Sequence, residues 1–437
     1  MRILYLLAAI IGIASPISNS HAAEMLQNGK KNGLTVQDIL LLTLQNDQRI
    51  AAARYNIEIA RADLSDAKSY FRPKINGIGR VAVNKVPDRL GFFGNTAEDG
   101  KSIYGGVEVE QQVLSFGRYS AMMGEGRAGV DQARYQLQAE ENEILMEAVR
   151  AYLDYARTKK TYTAYTDYAA DMADLLKRTK DKFDNQLIGR SEYLLVRSRW
   201  QQARANVTST ENDITRAYQR LAKLINKRQF DITADQVAFY QGNTPKTLAL
   251  AIDQAQENDP RLKAAREISK AKKNAAQLAK ANLHPKISLQ GSVVRGKLEQ
   301  RQTGEAIVGL NVELPIYNGG SGKARLRRAK SDASRAQALL SDEVANSEER
   351  VTAAWKILNS QIESEKMWLE AFQAETQAVD ELKKEVDTQI RSLIVLLEAR
   401  EQLVTAEVNA IAATYSRLTA GYELLTAMGK LPQLINP

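Results

Sequence analysis

Two patterns of hydrophobic and polar positions alternate along the chain. In the stretches 119–186 and 322–389, apolar residues recur at three- and four-residue intervals, as at Ile144, Val149 and Tyr152. This spacing places them on one stripe of an α-helix. A helix of about 67 residues is about 100 Å long, several times the usual length in globular proteins. The sequence therefore predicts very long amphipathic helices.

Four shorter segments alternate residue by residue, which is the period of a β-strand. The predicted strands are 74–86, 101–114, 286–297 and 304–315. We expect an apolar face that includes Val83, Val107, Leu289 and Leu310. The opposite face should carry Asn76, Glu110, Gln290 and Asn311. Strands of about ten residues with one apolar and one polar face are typical of transmembrane barrels, although a half-buried sheet shows the same alternation.

The chain contains one unit twice. Pro73-Lys74-Ile75 recurs 212 residues later as Pro285-Lys286-Ile287, and Gly117 recurs 203 residues later as Gly320. The nine residues lost between these two matches fall in 84–102 of the first copy. Each copy reads helix, strand, loop, strand, long helix, turn, helix. The fold class is thus mainly α with a β-barrel part, internally duplicated.

These patterns divide the chain into an export signal, two repeats, a linker and a tail. Arg2 and the apolar run 3–14 precede Ser20-His21-Ala22, which puts small residues (Ser20 and Ala22) at the positions that signal peptidase reads, so we expect cleavage after Ala22. The predicted segments are a signal peptide 1–22, a first repeat 23–226 (helices 35–71, 119–186 and 190–226), a linker 227–245, a second repeat 246–430 (helices 246–283, 322–389 and 392–428) and a tail 431–437.

Composition excludes most catalytic chemistry. The 437 residues include no cysteine and two histidines, which rules out thiol chemistry and disfavours a multi-histidine metal site. No glycine-rich phosphate loop of known spacing occurs. The formal net charge of +8 comes without a basic block interleaved with aromatic residues, so we predict no nucleic-acid binding. We expect no enzymatic activity, no cofactor and no bound metal.

Four strands cannot close a transmembrane barrel, because known barrels begin at eight strands and an open edge in lipid leaves backbone groups unpaired. The sequence therefore predicts that several copies share one barrel, with two, three and four copies all possible. The long helical hairpins would continue from it as a helical tunnel. An alternative from another class is a periplasmic helical-hairpin scaffold or adaptor protein with no barrel.

The motifs and their order resemble the TolC-type outer-membrane efflux and secretion duct family over residues 34–430. They are the double repeat, the Asn-Asp-x-Arg segments at 46–49 and 258–261, the Pro-Lys-Ile entries to the strands, and Leu314-Pro315-Ile316-Tyr317-Asn318-Gly319-Gly320. The first copy departs from the last motif with Ser115-Phe116-Gly117. The resemblance implies a homotrimer with a twelve-stranded barrel in the outer membrane of a Gram-negative bacterium and an α-helical barrel in the periplasm. It also implies a periplasmic adaptor and an inner-membrane transporter as partners, and contact with outer-membrane lipid.

The resemblance further implies a gate where the helical hairpins turn. The family's Thr-Asp pair falls on Ser191-Glu192, its gating arginine on Arg391, and the inner of its two ring carboxylates on Glu398. This chain departs from the family pattern at Val395 (the second acid), Val386 (the gating tyrosine), and Gln186 and Gln389 (the turn glycines). We therefore hypothesise a reduced gate of Ser191, Glu192, Arg391 and Glu398. The alternative is that these are ordinary solvated residues at a turn.

Overall fold

The chain folds into two similar helical units joined by one small sheet. The computed structural model describes residues 33–84, 100–232, 244–298, 301–388 and 391–434. The predicted signal peptide 1–22 lies outside the described residues, as do parts of the predicted linker and tail.

The described helices repeat in length and spacing. They are α1 (Val36–Asn46), α2 (Gln48–Ser69), α3 (Arg118–Asp184), α4 (Arg190–Ile225), α5 (Leu248–Asn258), α6 (Pro260–Ala281), α7 (Ser321–Asp387) and α8 (Leu393–Ala427), followed by a 3-10 helix (Leu431–Leu434). The two long helices α3 and α7 have 67 residues each. The helices that precede the strands, α2 and α6, have 22 residues each. The duplication predicted from the sequence is therefore present in the structure.

The helix before each strand pair is divided, which the sequence pattern did not predict. Single helices were expected over 35–71 and 246–283, but the structure ends one helix and begins the next at Asp47 and at Asp259. Each aspartate caps the second helix by accepting a hydrogen bond from the backbone N–H two residues later, at 2.8 and 2.9 Å. The apolar spacing continues across both breaks, so side-chain periodicity alone does not reveal them.

The helices pack as four columns. In the first repeat, α3 forms one column, with α2 and α4 against its two halves. In the second repeat, α7 is flanked in the same way by α6 and α8, which also contact α3. The order across the layer is therefore α2 and α4, then α3, then α6 and α8, then α7. Among the described residues, no helix combines the length and apolar character needed to cross a membrane.

The strands form one antiparallel sheet in the order β1 (Lys74–Asn84), β2 (Gly100–Leu114), β3 (Lys286–Leu298), β4 (Arg301–Glu313). The register places Val107 opposite Val293, and Leu289 opposite Leu310. Across all four strands, the positions predicted to be apolar share one face, and the predicted polar positions share the other. The connection between β1 and β2 spans residues 85–99, whereas β3 and β4 are joined through residues 299–300 only.

The main hydrophobic core lies where α1, α5 and the 3-10 helix pack against the middle of the columns. Its fully buried members include Tyr152 and Leu431. The described part of the predicted linker joins this core, because Phe230 stacks on Tyr218 at 4.5 Å between ring centroids. The Tyr218 hydroxyl also accepts from the backbone N–H of Phe230 and donates to its carbonyl, at 3.0 and 3.1 Å. Residues of the linker and the tail thus stabilise the packing at the middle of the helical columns.

We expect Asp259→Ala to destabilise the protein more than Asp47→Ala. Asp259 is 4% exposed and accepts hydrogen bonds from Ser347 and Arg350, at 2.8 and 3.0 Å, in addition to capping α6. Its loss removes the cap and leaves the Arg350 guanidinium with one carboxylate partner fewer, at a cost of about 2 kcal/mol. Thermal unfolding of the two purified variants checks the order, and an equal decrease in Tm would contradict it.

Candidate functional site

The two faces of the sheet differ in charge as well as in hydropathy. The four glutamates of the described strands all register on the polar face (Glu108, Glu110, Glu305 and Glu313). The apolar face exposes large side chains, including Val81 at 73%, Val308 at 80% and Leu310 at 69%. An exposed apolar surface of this extent marks a site of interaction with a nonpolar partner. The sheet therefore has one face suited to lipid and one suited to water.

The strands approach each other closely on the polar face. A Cβ atom at Gly106 would lie 2.3 Å from the carbonyl oxygen of Val293, and one at Gly296 would lie 2.4 Å from Cβ of Tyr104. Only glycine fits at these two positions. The ring of Tyr104 lies beside Gly296, and its hydroxyl accepts a hydrogen bond from Arg80 at 3.3 Å. This pair lies on the polar face toward the end of the sheet distant from the helices.

The first hairpin turns between α3 and α4. The backbone N–H groups of Gln186 and Leu187 bond the carbonyls of Phe183 and Lys182, at 2.9 and 2.8 Å, which is a Schellman turn. Gln186 adopts a φ of 61°, a conformation that glycine tolerates better. The position at which the family has a turn glycine therefore has a left-handed backbone conformation, and glutamine occupies it in this chain.

Ser191 and Glu192 lie in the first turn of α4, directly after the first hairpin turn. Ser191 is exposed and Glu192 is half-buried. The helix N-terminus favours the carboxylate of Glu192. Beside them, Phe183 and Tyr193 stack across the hairpin at 5.3 Å between ring centroids. The tip of the first hairpin is thus stabilised by aromatic contact and presents polar groups at its end.

The second hairpin turns between α7 and α8. Arg391 precedes α8, and its Nε donates to Glu385 of α7 at 3.1 Å. This bond uses one of the five N–H donors of the guanidinium. Val386, at the position of the family's gating tyrosine, packs into an apolar cluster with Leu396. The tip of the second hairpin is therefore held by apolar packing and by this one ion pair.

Glu398 is exposed on α8. It lines a cleft of about 530 Å³ between α7 and α8 together with Glu375, Glu401 and Trp368. The predicted gate residues thus lie at the ends of the two hairpins. Within the part of one chain that the structure describes, Arg391 does not bond Ser191 or Glu192. The gate stays a prediction.

The two hairpins are joined by ion pairs that sequence reasoning missed. Arg400 of α8 is 7% exposed and donates to Asp171 of α3 at 3.0 Å. Arg199 of α4 pairs with Glu401 of α8 at 2.7 Å. The signal in the sequence was an arginine on the apolar stripe of α8, three residues after Leu397. A buried basic residue at such a position needs a hydrogen-bonding or charged partner, which here is the largely exposed Asp171.

A like-charge contact lies beside these pairs. Burial raises the pKa of Glu407 in α8, and the nearby Asp167 carboxylate of α3 raises it further. The folded protein therefore holds a proton on Glu407 at a pH at which an unfolded glutamate has lost it.

The comparison with known proteins agrees with this architecture. The family model described as "Outer membrane efflux protein" matches residues 39–227 and 251–430. The chain is 20% identical over 401 residues to outer membrane efflux protein BepC of Brucella suis biovar 1 (strain 1330), covering 91% of this chain and 86% of that protein. It is 20% identical over 440 residues to outer membrane protein TolC of Vibrio cholerae serotype O1, covering 98% and 95%.

A solved structure shows the same fold. The outer membrane protein VceC of Vibrio cholerae superposes with a TM-score of 0.78 at 14% identity, covering 90% of this chain and 96% of that one. The sheet with one lipid-suited face and the long helical hairpins define a channel-type protein of the outer membrane. The chain belongs to the outer membrane efflux protein family, since the family model matches both of its repeats. Membership favours a channel over the alternative of a scaffold without a barrel.

We expect arginine to be tolerated on only one face of the sheet. At Leu310 it should cost about 2–4 kcal/mol near the membrane midplane, because the side chain would enter lipid. At the adjacent Asn311 it should have little effect, since that position faces water. The measurement is the yield of folded protein in outer-membrane fractions. Normal assembly of Leu310→Arg together with failure of Asn311→Arg would show that the faces are assigned the wrong way round.

We expect Glu407→Gln to raise the Tm at pH 7 and to flatten its pH dependence. A carboxyl group whose pKa is raised on folding stabilises the folded state only while it is protonated. Its contribution is therefore lost as the pH rises from the ordinary carboxyl pKa through the raised value. Thermal unfolding of both proteins between pH 4 and 8 tests this. A parallel pH dependence in wild type and variant would contradict it.

Proposed function

We propose that the protein is an outer-membrane channel-tunnel that works as a homotrimer. It exports substrates, either proteins or small toxic compounds, across the periplasm and the outer membrane together with a periplasmic adaptor and an inner-membrane transporter. The observation that carries the proposal is that each side of one chain has a surface that no other described residue covers. Each of these surfaces corresponds, through the duplication, to a surface that is partnered inside the chain.

The sheet leaves two open edges. In one chain, β1 pairs only with β2, and β4 pairs only with β3, within the described residues. The outer edges of β1 and β4 would leave backbone groups unpaired in lipid, at several kcal/mol each. Pairing of β4 with β1 of the next copy continues the antiparallel order. Three copies then give twelve strands, which is within the range of closed transmembrane barrels.

The helical columns leave matching faces. Inside the chain, α3 packs against α6 and α8 of the second repeat. Met367 of α7 is 62% exposed, whereas Ala164, at the same position of α3, is 2% exposed. On the other side of the chain, Leu194 of α4 is 44% exposed, whereas its counterpart Leu397 of α8 is 2% exposed. Packing of α7 against α2 and α4 of the next copy would bury these faces as α3 buries its own.

The duplication also indicates which part of α2 would contact the basic start of α7 of the next copy. The first turns of α7 carry five exposed basic residues (Lys323, Arg325, Arg327, Arg328 and Lys330). Arg327 occupies the position of Gly124, which abuts Asn274 of α6. In α2 the position equivalent to Asn274 is Ala62, followed by the exposed Asp63. In the proposed trimer the basic start of α7 would therefore lie against α2 of the next copy, close to Asp63.

A cysteine pair across this seam tests the trimer. A Cβ atom at Gly124 would lie 2.8 Å from the Asn274 side chain, so the equivalent pair Arg327→Cys and Ala62→Cys lies within disulfide reach between copies. Oxidation of this double variant should give covalent trimers on denaturing gels. The matched control, Gly124→Cys with Asn274→Cys, should form its disulfide inside one chain and migrate as a monomer.

Three results would contradict the proposal. Monomers after oxidation of the Arg327→Cys and Ala62→Cys variant would show that the seam is wrong, and covalent species larger than a trimer would show a different ring. Trimers that carry no current in planar lipid bilayers would show that the assembly is not a channel.

We further propose that the hairpin tips close this channel. In the ring, the tips of α3–α4 and α7–α8 alternate, and Arg391 has donors left for Glu192 or Ser191 of a neighbouring copy. Each such exposed contact contributes about 0.2–1 kcal/mol, and threefold symmetry repeats it around one opening. Glu398 of each copy would form a ring of like charges that attracts cations.

We expect Arg391→Ser to raise single-channel conductance without reducing trimer yield, because it releases the contacts between tips. Glu398→Ala should weaken cation selectivity and block by multivalent cations. Lys384→Ser is a matched control, since Lys384 lies at the same end of α7 but pairs with Glu381 one turn away at 2.7 Å. The measurement is conductance in planar bilayers. Unchanged conductance in both gate variants, or an equal increase in the control, would contradict the gate.

A further inference from the structure

Arg295 and Lys297 lie on the apolar face of the sheet, and neither has a counter-ion within the part of the chain that the structure describes. Arg295 and Lys297 of β3 register on the same face as Val293, at the end of the strand distant from the helices. Both side chains are exposed, and neither forms an ion pair with any residue that the structure describes. The glutamates of the strands all register on the opposite face. The strands therefore offer these two cations no carboxylate on their own face.

The surface around Arg295 is bare backbone. Its cross-strand neighbour in β2 is Gly105, and its neighbour in β4 is Gly304. Gly105 in turn lies opposite Gly79 of β1. A Cβ atom at Gly304 would lie 3.5 Å from Cγ of Arg295, so the arginine stem lies against this flat row. One guanidinium thus lies beside a row of glycines, which have no side chains to fill the surface next to it.

The position of Arg295 and Lys297 along the strand indicates which kind of ligand they can bind. The face is apolar from Ile287 to Val293, and the cations follow directly at its upper end. With the helices in the periplasm, this end lies at the headgroup level of the outer leaflet. Side chains two residues apart on a strand are separated by about 7 Å, a spacing at which both cations can contact one phosphate.

We propose that Arg295 and Lys297 bind a phosphate of the outer-leaflet glycolipid, with its sugar headgroup lying over the glycine row. This inference rests on the proposed function, because it requires that the sheet be part of a membrane-spanning barrel. The lipid phosphate would supply the counter-ion that Arg295 and Lys297 do not find among the described residues. A sugar phosphate fits better than a glycerol phosphate, since the bare row offers a flat area much larger than a single phosphate.

The test is the thermal shift of the purified trimer in detergent on addition of bisphosphorylated lipid A. The double variant Arg295→Gln with Lys297→Gln should bind about tenfold or more weakly, equivalent to about 1.4 kcal/mol. Lys74→Gln with Arg80→Gln is the matched control, because it removes two exposed cations from the polar face. This control should respond like the wild type. Dephosphorylated lipid A and phosphatidylglycerol should give smaller shifts than bisphosphorylated lipid A.

Three outcomes would overturn the inference. They are a wild-type response in the Arg295→Gln and Lys297→Gln variant, an equal loss in the control, and an equal response to phosphatidylglycerol. A trimer that conducts ions but fails this test defeats the lipid site alone. A wild-type protein that forms neither trimers nor channels defeats the proposed function instead.

Discussion

Every backbone N–H and C=O group that enters lipid must find a partner in protein, and this requirement governs the rest of the molecule. The three strand pairings inside the chain satisfy this requirement. The outer edges of β1 and β4 have no partner strand among the described residues. An antiparallel sheet of this size cannot curl far enough to pair its own edges. In the proposed trimer the three copies close this sheet together, and their helices must then close around the same number of copies.

The duplication explains how helices and strands satisfy one symmetry. The helices α3 and α7 have equal lengths and lie 203 residues apart. The contacts that α3 makes inside the chain therefore indicate the contacts that α7 can make with another copy. In the proposed trimer, the internal interface between repeats thus acts as a template for the interface between chains. The differences in exposure between Ala164 and Met367, and between Leu397 and Leu194, lie where this template predicts a covered surface.

Much of this architecture is readable from the sequence because it depends on periodicity. Helix length and strand faces follow from apolar spacing, and the repeat follows from residues that recur 212 and 203 positions later. The breaks at Asp47 and Asp259 were missed, because a cap interrupts the backbone while leaving the side-chain pattern intact. The contact of Arg400 with Asp171 was missed since the partners lie 229 residues apart. The resemblance predicted Ser191, Glu192 and Arg391 near the hairpin ends, where the structure has them, but their role as a gate stays a prediction.

The two copies of the Asp-x-Arg motif are used differently. In the first repeat, Arg49 binds Glu147 of α3; in the second, Asp259 binds Arg350, which stands at the position of Glu147 in α7. Arg261, the counterpart of Arg49, instead binds Glu143 of the first repeat. The two halves have thus become non-interchangeable since the gene doubled. In a ring built from identical single repeats, one mutation would alter every interface. In a ring built from the duplicated chain, one mutation alters only every second interface, so mutation and selection can act on the two kinds of interface separately.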